Sequence, residues 1–263
     1  ALQVNSGENV NHDGVKFLTT STLAEDLRVS LEQLLNTDSD PPATASSQLS
    51  SSFASAQHQW KARFHISYPK FLNHIWKTLI LTAHTHKKSD RSKGKLDPLM
   101  VWTQIRSFIK GSYQAASQQS PLSYEQYAAL PKARCRLDSD TRRLAYEVYV
   151  TYEEYLHDRG LWDDMDQIVH IVGLIQLQKL EVGGPTVWYD RVYVDEVQDI
   201  TQAEIGLFFL LTGENCDALY LAGDTAQAVS QGVEFRFEEV RSVVHLISGG
   251  KQKIDRWEKL VHN

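Results

Sequence analysis

The run Val192-Tyr193-Val194-Asp195-Glu196-Val197-Gln198-Asp199 constrains the fold of this chain more than any other stretch. β-branched and aromatic residues suit a strand. A strand that stops at two adjacent carboxylates is how a buried strand of an α/β sheet ends when its C-terminal edge carries chemistry. Thr201-Gln202-Ala203-Glu204 follows, a Ser/Thr-x-x-Glu capping box that opens a helix. That helix is expected to put Ile205, Phe208 and Phe209 on one face and to close at Gly213. Ala218-Leu219-Tyr220-Leu221-Ala222 then reads as a second buried strand, ending at Gly223-Asp224 with Gln227 three residues further. Two strands therefore deliver Asp195, Glu196 and Asp224 to one edge of one sheet.

Adjacent carboxylates at a strand end suit magnesium-nucleotide chemistry. One holds Mg²⁺, usually through water, because the small ion dehydrates reluctantly. Its neighbour orients or deprotonates an attacking water. The same pair would also serve as a purely structural cap, favouring the positive N-terminal end of the next helix. The second strand, with its own Gly-Asp and a Gln three residues on, weighs against that plainer reading.

Val194-Asp195-Glu196-Val197-Gln198-Asp199 resembles the DEVQD form of the Walker B motif in UvrD/Rep-like superfamily-one helicases, and Gly223-Asp224-Thr225-Ala226-Gln227 resembles their motif III. The run through Gly232-Val233-Glu234-Phe235-Arg236-Phe237 is most similar to the branch related to TPR-and-ankyrin-repeat helicases. The resemblance implies an α/β, RecA-like P-loop NTPase motor domain, a parallel sheet flanked by helices, with an all-helical insertion. It implies ATP as substrate, Mg²⁺ as cofactor and single-stranded or partly duplex nucleic acid as partner. Asp195 would bind Mg²⁺, Glu196 would activate the hydrolytic water, and Gln227 with Asp224 would sense the γ-phosphate.

Composition sets the outer bounds. A chain of 263 residues can bury a sizeable core. Its net charge of −6 argues against a surface coated for nonspecific nucleic-acid binding, though not against a local basic groove. Two cysteines, Cys135 and Cys216, make no disulfide framework and read as thiols of an intracellular protein, nuclear or cytoplasmic. No apolar run is long enough to span a membrane. The scattered histidines and cysteines match no zinc spacing. The chain begins with Ala1 and not Met, which fits a piece of a longer product whose flanking regions would hold further protein partners.

Along the chain, residues 1–36 read as the first part of the RecA-like domain, 37–57 as a flexible linker, 58–160 as the helical insertion and 161–263 as the second part. Residues 1–14 carry no clear pattern. Val15 to Thr19 reads as a strand, and Thr22-Leu23-Ala24-Glu25 as a capping box before the stripe Leu23, Leu27, Leu31 and Leu34. This unit resembles motif Ia of the family, which would bring Thr20 and Ser21 to single-stranded nucleic acid; they would equally serve as helix caps. Phe71, Ile75 and Leu79 stripe a helix near Pro69. The basic residues Lys87, Lys88, Arg91, Lys93 and Lys95 form either a phosphate contact or a solvated loop.

Asp97-Pro98 starts a further helix, with Trp102 to Ser112 similar to a signature of the same branch. Its Arg106 and Lys110, four apart on one face, would reach phosphates or simply form the polar side of a core helix. Ser123 to Gln126 is another capping box, and Asp140 is expected to open a long helix that Gly160 stops. Its tyrosines at helical spacing read as packing. Asp163 reads as the N-cap of the next helix, within a segment resembling the family element before Walker B. Phe235, just after motif III, would stack on a base in this family; otherwise it pins the following helix to the core. The segment from Lys251 reads as a further helix.

The phosphate cradle G-x-x-x-x-G-K-[ST] is absent from these residues. In the family it precedes motif Ia and would lie upstream of Ala1. Two other readings stay open: a non-catalytic helicase-fold scaffold that has lost the P-loop, and a metal-dependent nuclease or phosphatase using Asp195, Glu196 and Asp224. The second lacks further ligands to complete a two-metal site.

Overall fold

The computed structural model describes residues 2–5, 15–37, 60–79, 96–227, 230–234 and 236–254. The expected linker beyond Thr37, the basic residues 87–95, Phe235 and the terminal helix beyond residue 254 lie outside them.

The fold is mostly helical around one small sheet. Its strands are β1 (Leu2–Asn5), β2 (Val15–Leu18), β3 (Arg191–Val194) and β4 (Leu219–Leu221), in the order β2-β1-β3-β4. β3 and β4 pair in parallel, with Val192 opposite Leu219 and Val194 opposite Leu221. β1 runs antiparallel to both of its neighbours. The expected parallel sheet is thus a mixed one among the described residues. β1 lies in a stretch too short and polar to announce a strand, and its place is defined by backbone pairing that no periodicity reveals. On β3 the pleat buries Val192 and Val194 and turns Tyr193 to the opposite side. There its ring stacks on Tyr220, with centroids 4.7 Å apart.

Helix α1 (Thr20–Thr37) packs Leu23, Leu27 and Leu31 into the core, whereas Leu34 is exposed and Leu35 packs instead. Thr19, not Thr22, caps it: the Thr22 amide donates to Thr19 Oγ1 at 3.2 Å. The expected capping box therefore lies inside the helix. Helix α2 begins at Tyr68–Lys70 and continues π-helically through Phe71–Ile75. Helix α3 likewise begins at Pro98–Thr103 and continues π-helically through Gln104–Ile109, with Asp97 accepting from the Met100 amide as its cap.

Three further helices follow: α4 (Tyr113–Gln118), α5 (Tyr124–Ala128) and α6 (Ser139–Arg159). The Ser123–Gln126 capping box forms as expected. Asp138, two residues before the expected Asp140, caps α6, and Gly160 ends it at φ 60°. Helices α7 (Asp164–Glu181), α8 (Gln202–Leu211) and α9 (Phe237–Ile247) surround the sheet. The Thr201–Glu204 box caps α8, but every residue of that helix is buried, so it has no single apolar face.

Two hydrophobic cores result. One joins α1, α7, α8 and α9 to β3 and β4; the other lies within α2, α3, α5 and α6. Helix α4 serves both, with Tyr113 and Ala116 in the first and Ala115 in the second. Gly206 makes room for Tyr113, since a Cβ there would sit 2.3 Å from its ring.

The cores meet at Lys110, which is 2% exposed. Its Nζ lies 2.8 Å from Glu153 Oε1, 2.8 Å from Asp163 Oδ2 and 2.6 Å from Asp166 Oδ1. The Tyr152 hydroxyl donates to Asp163 Oδ2 at 3.0 Å. Burial works against the charge on Lys110, but the three carboxylates outweigh it and hold its pKa well above the ordinary lysine value. The expectation that Lys110 reaches phosphates is corrected: its ammonium is committed inside the protein. One ammonium does not balance three carboxylates, and burial, followed by repulsion from Asp163, pushes Asp166 up to about 7.

Lys110→Met leaves three carboxylates facing one another and should cost roughly 3–5 kcal/mol of unfolding free energy in urea titrations. An aspartyl pKa raised on folding contributes stability that is complete below the ordinary value of 3.8 and is lost as pH rises through about 7. Asp166→Asn stays neutral and keeps a cap acceptor. It should gain stability relative to the wild type as pH goes from about 5 to about 8. A constant difference across that range would show that the carboxyl does not titrate there.

Candidate functional site

β3 and β4 end side by side, and the chain continues their pairing into the loops. The Ala222 amide donates to Val194 O at 2.8 Å, and the Val197 amide to Ala222 O at 2.9 Å. Asp195 and Glu196 follow β3 directly and are exposed. Asp195 Oδ1 accepts from the Glu196 amide at 2.9 Å. Glu196 adopts left-handed backbone, φ 56° and ψ 43°, a conformation uncommon for residues other than glycine and concentrated at functional turns.

Gln198 joins the two strand ends. It is 1% exposed. Its Oε1 accepts from the Asp224 amide at 2.9 Å, and its Nε2 donates to Glu196 Oε2. Gly223 makes this possible, because a Cβ there would lie 2.3 Å from Gln198 Oε1 and 2.9 Å from Val197 Cγ1. Beyond it, Asp224 Oδ1 accepts from the Ala226 amide at 2.9 Å and Oδ2 from Gln227 Nε2 at 2.8 Å. Those two hydrogen bonds hold the Asp224 pKa below the usual aspartate value.

A cavity of about 330 Å³ opens beside the β3 end. Thr20, Ser21, Arg106, Asp195 and Glu196 line it together, with Asp164, Gln167, Asp199 and Glu204. Thr20 and Ser21 arrive on the first turn of α1, behind the Thr19 cap. Arg106 arrives from α3, its Nη1 3.3 Å from Asp164 Oδ2. His65 Nε2 lies 2.6 Å from the other oxygen of Asp164. Burial pushes the Asp164 pKa up, but the His65 hydrogen bond and the Arg106 guanidinium outweigh it and leave the carboxyl below its usual value. Glu204 shows the opposite balance: burial raises it more than Arg106 and Thr201 lower it.

Of the residues singled out in the sequence, the cavity gathers Thr20, Ser21, Arg106, Asp195 and Glu196. Asp224 and Gln227 stand at the neighbouring strand end, linked to the cavity through Gln198. Lys110 is not among the cavity-lining residues and is buried among carboxylates. Phe235 lies outside the described residues. Gln198, Asp164 and Asp199 were not singled out, although each lies within a run whose resemblance was noted. Asp163 is the expected N-cap, accepting from the Met165 and Asp166 amides.

Among the described residues no group of three or more His, Cys, Asp or Glu side chains forms a metal cage. The donor set at the β3 end instead fits Mg²⁺ bound by one carboxylate together with water and substrate phosphate oxygens. Also among the described residues, no helix is long and apolar enough to cross a membrane.

The sequence model described as the UvrD/REP helicase N-terminal domain matches residues 24–236. The chain belongs to the UvrD/REP helicase family. Its RecA-like character follows from that membership, as does kinship with ATP-dependent, nucleic-acid-binding helicases. The chain is also 31% identical over 204 residues to the TPR and ankyrin repeat-containing protein 1 of Homo sapiens, across 76% of this chain and 6% of that protein. This UvrD/REP-family chain thus spans a small part of the length of that relative.

Gln198→Ala in this family member leaves the Asp224 amide and the Glu196 carboxylate without a shared partner. It should cost roughly 1–3 kcal/mol in denaturant unfolding. Faster hydrogen exchange of the Asp224 amide should accompany the loss; unchanged exchange would show that the bridge does not hold the two strand ends.

Proposed function

We propose that this chain is the central portion of an ATP-dependent helicase motor that couples ATP hydrolysis to translocation along, or unwinding of, nucleic acid. The observation that carries the reading is the Gln198 bridge, which ties the Asp195–Glu196 strand end to the Asp224–Gln227 strand end beside a polar cavity. Asp195 would hold Mg²⁺, which when bound neutralises charge on the phosphates. Glu196, with its carboxylate steadied by Gln198, orients and deprotonates the attacking water. Gln227 and Asp224 form the hydrogen-bonded pair that registers the γ-phosphate. Arg106, Thr20 and Ser21 offer donors to the backbone of single-stranded or partly duplex nucleic acid.

A second reading turns on the protein at its natural length, since residues 1–263 themselves hold no G-x-x-x-x-G-K-[ST] cradle for the triphosphate. If the natural product has none, the chain is a helicase-fold binding or scaffold protein. Positioning supplies most of phosphoryl-transfer catalysis, so residues 1–263 by themselves should show no ATP turnover above background, with or without single-stranded DNA.

In the protein at its natural length, Glu196→Gln should lower ATP turnover by about 10²–10⁴-fold while leaving nucleotide affinity nearly unchanged. Loss of affinity together with turnover would make Glu196 a structural carboxylate. A wild-type protein that binds nucleic acid without any turnover would establish the scaffold instead.

A further inference from the structure

We infer that Ser107 is a positioning residue: through the segment 230–234 it couples the turn bearing Asp195 and Glu196 to the helix bearing Arg106. The inference deepens the helicase reading and rests on it for its mechanistic meaning, though the coupling itself is a property of the fold.

Ser107 is 5% exposed and lies in the π-helical part of α3. Its Oγ donates to Gly232 O at 2.8 Å and accepts from the Glu234 amide at 2.9 Å. A hydroxyl both donates and accepts at a single atom, so this one side chain satisfies two backbone groups of the passing segment. Alanine would leave both without that partner.

The fit is close because of Gly232. Its φ is +91°, and a Cβ there would lie 2.3 Å from Trp102 Cδ1 and 3.3 Å from Arg106 Cδ. Gly232 therefore lies close against the Trp102 indole and the Arg106 stem, and any larger residue at this position would push the chain away from them. At its other end the Ser230 amide donates to Asp199 Oδ1 at 2.9 Å. Asp199 closes the turn that begins at Asp195 and Glu196 and contains Gln198. One five-residue segment is thus fastened at Asp199 to the strand-end turn and at Ser107 to α3.

Arg106 adjoins Ser107 in sequence, and its guanidinium enters the cavity toward Asp164. A rearrangement of the turn around Glu196 and Gln198 consequently shifts the segment, then Ser107, then Arg106. The route is short and built from fixed hydrogen bonds, the kind of contiguous element that carries coupling between two sites. Under the helicase reading it links the water-activating carboxylate to a cation facing the nucleic-acid backbone.

The test is hydrogen exchange of the protein at its natural length, followed over residues 104–109. Gln198→Ala, which loosens the turn, should speed exchange there on the order of fivefold. Adding Ser107→Ala should abolish that response, whereas Ser107→Thr, which keeps the hydroxyl, should retain it. Gly232→Ala leaves Ser107 in place but lifts the segment, and should abolish the response as well; this guards against misfolding of the Ser107 variant. An equal response with and without the Ser107 hydroxyl, or none in the Gln198 variant alone, overturns the inference. In a second arm, Ser107→Ala should remove most of the single-stranded-DNA stimulation of ATP turnover while basal turnover stays unchanged. Intact stimulation also overturns it. If the wild type shows no turnover, the helicase reading fails, and the exchange measurement decides the coupling by itself.

Discussion

A lysine ammonium taken out of water must be matched by nearby carboxylates, and in this protein that requirement joins the two cores. Lys110 caps the C-terminal end of α3, Glu153 comes from α6, and Asp163 and Asp166 from the start of α7. The last two also form the capping box of α7, so each carboxylate turns one oxygen to the buried ammonium and the other to backbone amides at the helix start. Asp164 lies between them in sequence and faces the other way, toward Arg106 and the cavity. The junction that joins the two cores is therefore continuous with one wall of the candidate site.

The site has a division of labour that follows from topology. Parallel strands leave their C-terminal ends at the same edge, and loops after those ends meet without long detours. Here the loops after β3 and β4 are joined by a buried amide side chain, Gln198, which has both donor and acceptor to offer. Glutamate at that position would repel Glu196, and an aliphatic residue would satisfy neither loop. Gly223 is needed for the same reason, since the Gln198 carbonyl oxygen occupies the space of its missing side chain.

Much of this was legible in the sequence, because local rules govern strand ends and caps. The apolar runs at 192–194 and 219–221, the boxes at Ser123 and Thr201 and the N-cap Asp163 are all encoded within a few residues. The parts that were not legible depend on distant partners. Helical spacing put Arg106 and Lys110 on one face, yet Asp164 draws the first into the cavity while Glu153, Asp163 and Asp166 bury the second. Thr22 looked like a cap, but Thr19 performs that role because the helix begins a turn earlier. Strand β1 earned no signal from four residues, and its existence rests on pairing with β2 and β3. The merging of the Tyr113 helix into both cores likewise depends on Gly206, some 90 residues away.

The left-handed backbone of Glu196 also bears on how such a chain can drift over generations. At φ 56° a glycine or an asparagine is more comfortable than a glutamate. Random substitution toward greater thermal robustness is therefore drawn to the very position that holds the carboxylate. Replacement by either residue would relieve the backbone and remove the carboxylate at one stroke. Gln119 and Glu214 also adopt left-handed backbone, at φ 54° and φ 62°, so the angle measures a conformational cost and not a use.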